Sequence, residues 1–395
     1  DSVADCMEQR PLVIVGSGPA GAATALALHK LDPDLARDVV LLEKGRHPRP
    51  KVCAGGLIPA GKRWMEEHDI PLTVPHVTVH RAQVATPRRK LAHDDRNLCY
   101  VIRRNELDAA LVDACRARGI AVHEDEAVEG LERHAGGVRV TTATATYDTP
   151  LVVGADGAGS VVRRRLVSDS RDAIARAVMT DVPAAATRWD GNRQARYDFD
   201  FRMLRDGLRG YLWAFPCIID GVPHVNIGAY ALAPAGAALD DALSAYLREL
   251  GAGSPKRVAF PIHWYRPGAQ VAAERAWLVG DAAGVDPLMG EGISLAMEYG
   301  DIAAAAIVAA RRSGACSAAA YQRALERSWL GAKLRRLHLA TRLFYGPTSR
   351  LCFGLAERSR RLRAVGLRWY NGVDGWDRRS GWSAVAAVLT NRVGA

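Results

Sequence analysis

The sequence predicts an α/β chain in which a Rossmann-like dinucleotide-binding domain is interleaved with an antiparallel sheet and followed by a basic helical extension. Three observations carry that expectation. An apolar segment runs into the turn Gly16-Ser-Gly18-Pro-Ala-Gly21. Two later segments, around Asp156 and Asp281, repeat the pattern of apolar strand, small-residue turn and helix start. The stretch between them, 166–267, reads as strands with no nucleotide signal. No repeat or low-complexity linker separates the halves. The expected division is a dinucleotide-binding domain of 1–83, 95–165 and 268–312, a sheet domain of 84–94 and 166–267, and a basic helical region of 313–395.

The first element is the strand Leu12–Val15, followed by a helix read over Ala22–His29. Gly16 permits the tight turn, Gly18 lets backbone approach a pyrophosphate, and Gly21 lets helix pack on strand. Pro19 and Ala20 complete the turn at a helix N-terminus whose partial positive charge suits phosphate. The strand in "VVLLEKG" ends at Glu43, 22 residues beyond Gly21, where a carboxylate can accept from ribose hydroxyls; Lys44 follows it.

Composition excludes several other classes. Hydrophobic residues at 49% and charged residues at 24% are those of a globular protein rather than a disordered one. The run "AAAAIVAA" at 303–310 is too short to cross a bilayer, and the segment from Asp1 lacks a charged-then-apolar leader pattern. Seven cysteines without CxxC spacing predict reduced thiols in a cytoplasm and no metal site.

Two segments resemble a known superfamily. "GADGAGSVVR" resembles the DG motif of flavoprotein hydroxylases, and "WLVGDAAGVDPLMGEGISLAMEYG" resembles their GD motif. The resemblance implies FAD. It assigns Asp156 and Gly157 to the cofactor site, and Gly280 and Asp281 to the ribityl chain. Gly290, Glu291, Gly292 and Ile293 fall to a helix start facing the pyrimidine edge, where backbone amides favour negative charge. "YVIRRNELDAALVDAC" resembles the superfamily's Arg-bearing helix start, with Arg104 at the matching position. No second GxGxxG exists, so NADPH, a ferredoxin or a quinol would serve as a transient electron donor.

Within the sheet region, "QARYDFDF", "YLWAFP", "HVNIGAYAL" and "VAFPIHW" are the expected strands. "GYLWAFP" resembles the YxWxFP signature of geranylgeranyl reductases, which saturate isoprenoid double bonds. Tyr211, Trp213 and Phe215 alternate, so they share one strand face. That face either lines a cavity for a hydrocarbon chain, making Tyr211 and Trp213 catalytic-site residues, or is the ordinary buried side of a sheet. "RPKVCAGG" resembles that family's PxxKxCGG segment, with Ala54 in place of the first glycine, then Gly55. The resemblance places Cys53 beside the flavin. There the thiol could pass a proton to an alkene carbon, helped by Lys51 and Arg49, or simply fill a gap. Two departures stand out. Eleven residues separate Pro216 from Gly228, and Tyr230 takes a glycine's place. The competing reading is a monooxygenase or halogenase of the same superfamily; halogenases carry WxWxIP, from which Tyr211 and Phe215 depart.

Between Arg311 and Arg368, fourteen Lys/Arg face two acids, Glu326 and Glu357. Leu330, Leu334, Leu337 and Phe344 form one helical stripe with Arg327, Arg335, Arg336 and Arg342 off it. Such a helix, with Trp329 or Trp369 nearby, either packs on the dinucleotide-binding domain or rests at a membrane surface. The basic face suits an acidic carrier protein or anionic lipid. No nucleic-acid motif accompanies it.

Overall fold

The computed structural model describes residues 7–168, 173–232 and 236–378; part of the predicted tail, 379–395, lies outside the described residues. A six-stranded sheet forms the dinucleotide-binding half. Its order is Ala272–Ala273, Ala276–Leu278, Val152–Gly154, Val13–Val15, Val40–Leu42 and Ala121–His123, parallel except at the first pair. The four central strands are buried on both faces, which explains their continuous apolar runs. The predicted first helix spans Pro19–Leu31 and packs against Ile293–Ser313. The latter helix is 21 residues long and apolar enough to span a bilayer, longer than the run at 303–310 suggested. It is mostly buried inside the protein. A four-stranded sheet of Met7–Gln9, Thr146–Thr149, Val138–Thr141 and Gly130–Arg133 flanks this half.

The second half is an eight-stranded sheet. Its order is Val258–His263, Ile174–Pro183, Val222–Leu232, Gly210–Ile219, Arg196–Asp200, His76–Ala85, Lys90–Ile102 and Gly56–Leu57. The strand pair His76–Ala85 and Lys90–Ile102 is longer than the 84–94 expected from sequence, and Gly56–Leu57 joins the same sheet. Polar residues such as His80, Asp94 and Asp95 hide these strands, because one face of the pair is solvated. The four strands read from sequence are present, while Ile174–Pro183 and the helix Gly236–Glu249 are additions. That helix covers one sheet face, where Leu239, Leu243 and Leu247 pack on Leu212, Ala214 and Ile227. On the opposite face Tyr211, Trp213 and Phe215 join a second core cluster, as strand alternation requires.

Four α-helices follow among the described residues: Ala318–Arg327, Trp329–Phe344, Ser349–Arg358 and Arg360–Asn371. The stripe Leu330, Leu334 and Leu337 is buried in the core of the parallel sheet, and Phe344 packs against the aromatic cluster. Arg327, Arg335, Arg336 and Arg342 are exposed. The stripe therefore packs inward. Each buried leucine contributes roughly 1.5–3 kcal/mol.

Candidate active site

Three turns distant in sequence meet at the first helix. A Cβ on Gly16 would come within 2.5 Å of the Ala155 carbonyl, and one on Gly21 within 1.9 Å of the Gly16 carbonyl, so neither position admits a side chain. A Cβ on Gly280 would meet Ala20 at 2.7 Å, which brings the Asp281 turn to the same place. Arg163, buried, fastens the two later turns together. It donates to the carbonyls of Ala158 (2.7 Å) and Ala282 (3.2 Å) and lies 3.0 Å from His263 Nδ1. Burial, reinforced by the neighbouring Arg163, pushes His263 down to about 4, so its ring is neutral near pH 7.

Glu43 is buried and accepts from Ser17 N (3.2 Å), Ser17 Oγ (3.0 Å) and Gly45 N (3.2 Å). Arg49 pairs with Glu43 at 3.2 Å and lies 3.7 Å from Asp108, which also holds Arg104 in a fork at 2.8 and 3.0 Å. Arg49 was expected beside Cys53; the carboxylates draw it to the nucleotide turn instead, where its Nη2 lies 3.5 Å from the Cβ position of Gly18. Ser17, Arg49 and Asp108 belong to this site and were not singled out from sequence as its residues. Ser17 was readable as part of the glycine turn; Arg49 and Asp108 meet only through folding. Lys44 follows the Glu43 turn and is exposed.

Asp156 Oδ2 accepts from Val161 N (2.6 Å) and Val162 N (3.2 Å), while its buried Oδ1 has no partner. Burial pushes this carboxyl up. The side-chain-free turn at Gly16–Gly21, the buried Glu43 acceptor and the open Asp156 oxygen fit the nucleotide half of FAD. Glu43 would take the ribose, and Arg49 with Arg104 the phosphates.

The segment 286–292 is held from four directions. Tyr230 donates to Pro287 O at 2.9 Å, Tyr345 to Leu288 O at 2.6 Å, and Tyr370 to Asp286 Oδ2 at 2.8 Å; Tyr211 donates to Met289 O. Asp286 is fully buried and also caps Leu288 N and Met289 N. Glu291 accepts from Ser294 N and Ser294 Oγ, both at 2.8 Å, and burial pushes its carboxyl up. The amides at this helix start were expected to face the pyrimidine edge; the one at Ser294 bonds Glu291, and Gly292 and Ile293 stay at the turn.

Cys53 is half-buried, and its Sγ accepts from Gly55 N at 3.3 Å. Gly55 has φ +79°, and a Cβ there would strike the Ile102 carbonyl at 2.0 Å. Ala54 needs no such conformation, which is why alanine can replace the family's first glycine. This loop forms one wall of a cleft of about 990 Å³, open to solvent. Met179, Asp181, Cys217, Asn226 and Phe260 form the other wall. The Lys51 ammonium sits 3.3 Å from the centre of the Phe260 ring, and burial pushes it down to about 8 against the pull of Asp281.

Tyr211 and Trp213 do not line this cleft. Both are buried core residues, and they act on it from behind. Trp213 Nε1 donates to Asn226 Oδ1 at 2.7 Å, Asn226 Nδ2 donates to Asp181 Oδ1 at 2.8 Å, and Arg103 donates to Asp181 Oδ2 at 2.7 Å. The long spacing to Gly228 also has a physical reason. The hairpin runs to Ile219 before turning, and its register sets Gly228 opposite Trp213 and Tyr230 opposite Tyr211. A Cβ on Gly228 would lie 2.2 Å from the indole, so the glycine makes room for Trp213.

The fold and site together define an FAD-dependent oxidoreductase. Residues 9–197 match the family described as FAD binding domain. The chain is 30% identical to a chloroplastic geranylgeranyl diphosphate reductase of Oryza sativa subsp. japonica, across 77% of this chain and 67% of the relative. The structure matches a geranylgeranyl bacteriochlorophyll reductase-like protein of Thermoplasma acidophilum with TM-score 0.69 and 20% identity, covering 86% of this chain and 88% of the other. It also matches the flavin-dependent brominase Bmp2 with TM-score 0.71 and 16% identity, covering 97% and 99%. The chain belongs to the geranylgeranyl reductase family within the FAD-dependent hydroxylase superfamily.

Proposed function

We propose that the protein reduces carbon–carbon double bonds in an isoprenoid-like substrate that carries a polar end group, and that it works in the cytoplasm. The observation that carries this reading is the cleft. The cleft that Cys53 lines is apolar at Met179, Cys217 and Phe260, and polar at Asp181, Asn226 and Arg103. An apolar chain suits the first set, and a hydrogen-bonding head suits the second.

Bound and reduced FAD supplies hydride chemistry. The chain contributes orientation and a proton. Cys53 Sγ gives its proton to the second alkene carbon, and the resulting thiolate is held by the Gly55 amide until solvent reprotonates it. The Trp213–Asn226–Asp181–Arg103 chain keeps Arg103 aimed along the cleft. NADPH, a ferredoxin or a quinol would deliver electrons without a nucleotide domain of its own.

The test is anaerobic. Reduced protein mixed with a prenyl alkene should be reoxidised without oxygen, and Cys53→Ala should slow that reaction roughly a hundredfold while retaining FAD. Reoxidation only by oxygen, coupled to hydroxylation or halogenation of an aromatic, would establish the second reading. What favours that alternative is "YLWAFP", which occupies the place of the halogenases' WxWxIP, together with the fold match to the brominase.

A further inference from the structure

Nine large hydrophobic side chains are exposed among the described residues, and five of them crowd into one short stretch: Leu339, Leu343, Leu351, Leu355 and Leu362. Single exposed leucines are ordinary. This concentration is not. Leu351 is 63% exposed, Leu339 56% and Leu355 49%, although the inward sides of the same helices bury Leu334, Leu337 and Phe353. Leu339 and Leu343 are one helical turn apart, as are Leu351 and Leu355. The connection draws the two pairs together, since Thr348 Oγ1 donates to Leu343 O at 2.9 Å and Cys352 Sγ lies 3.8 Å from the same oxygen.

Arginines surround the ridge. Arg342, Arg350, Arg358 and Arg361 are exposed and make no ion pair among the described residues. The stretch from Arg311 to Arg368 carries fourteen cations against two acids. A second copy of the chain would bring the same positive charge to the contact and be repelled. An acidic protein would answer the arginines but leaves the leucines without a purpose. An anionic bilayer answers both, because leucine side chains enter the headgroup–acyl boundary while guanidinium groups meet phosphate.

We propose that these tail helices dock their leucine ridge on an anionic lipid surface. The exposed leucines and arginines would serve this docking whatever reaction the cleft performs.

Vesicle flotation of the FAD-loaded protein tests it. At low ionic strength the protein should float with phosphatidylglycerol–phosphatidylcholine vesicles about tenfold better than with phosphatidylcholine alone. Leu339→Ser, Leu343→Ser, Leu351→Ser and Leu355→Ser combined should weaken that binding about tenfold with the flavin absorbance intact. If the combined variant loses its colour, the pair Leu351→Ser and Leu355→Ser takes its place, with a several-fold loss expected. Replacing Arg342, Arg350, Arg358 and Arg361 with Gln should flatten the salt dependence. Absence of flotation at low salt overturns the proposal. So does undiminished flotation of the leucine variants, which would reduce the effect to charge adsorption. Capture of an acidic acyl carrier protein without any vesicle binding overturns it as well.

Discussion

A single glycine shows how tightly the aromatic face is built. Gly228→Ala would drive a methyl group into the Trp213 indole, displacing the ring that orients Asn226. We expect a loss of about 1–3 kcal/mol, seen as a fall in thermal midpoint, with Trp213→Phe restoring little because Asn226 Oδ1 then lacks its donor. Lys51 gives a second test at this scale. Its ammonium loses its proton as pH rises through about 8, whereas in the unfolded chain it would keep it to about 10.5. The cleft is therefore cationic at Lys51 below pH 8 and neutral above. If this cation steers the substrate head, kcat/KM should fall above pH 8, and Lys51→Arg should extend the plateau to higher pH. A profile without that inflection would remove Lys51 from substrate handling.

Two features become visible only when whole elements are considered. The first is the clamp on the loop 286–290, where the sheet supplies two tyrosine hydroxyls and the tail helices supply two more. Tyr370→Phe removes one of the donors to buried Asp286, so it should cost about 1–3 kcal/mol and weaken FAD retention during dialysis several-fold. The second is the packing of Glu298 against Lys333, Asp377 and Arg63, where helix Ile293–Ser313 meets the tail. Burial pushes Glu298 up to about 8, and its Oε2 has no hydrogen-bond partner. The folded state therefore holds one more proton than the unfolded state between about pH 4.5 and 8. Stability contributed by this group is present below pH 4.5 and is lost as pH rises through 8. Glu298→Gln should flatten that decline, leaving the variant relatively more stable at pH 8.5 in urea titrations. Much of the element inventory was legible in the sequence, because apolar strands and small-residue turns are local signals. The strand Ile174–Pro183 was not, since its burial on both faces leaves no clean alternation. Nor were the tyrosine clamp or the Asp181–Asn226–Arg103 chain, whose members lie 45 and 78 residues apart and meet only through folding.

Across the whole molecule, the cofactor is expected to act as a keystone. Residues from the glycine turn, the cysteine loop, the Asp281 turn and the tail-held loop are proposed to border its site. Saturating FAD at about a hundred times its Kd should add about 2.7 kcal/mol to folding stability. Removing the flavin should lower the thermal midpoint, and refilling should restore it. An unchanged midpoint would mean that the protein core alone sets its stability. The sequence disclosed the cofactor through its turns, and it disclosed an amphipathic tail. Its inward stripe is the one that packs, but Leu339, Leu343, Leu351 and Leu355 were not singled out, because the packed stripe and the exposed ridge share the same helices.

The clamp has one more consequence, for the order of events at the ribosome. Asp286 is synthesised 84 residues before the tyrosine that anchors it. A nascent chain that has just produced the Rossmann strands and the glycine-bearing turn cannot yet fix that loop. Firm retention of the prosthetic group is thus expected only after Tyr370 has joined the fold, and a prematurely released chain that lacks it should hold flavin several-fold more weakly.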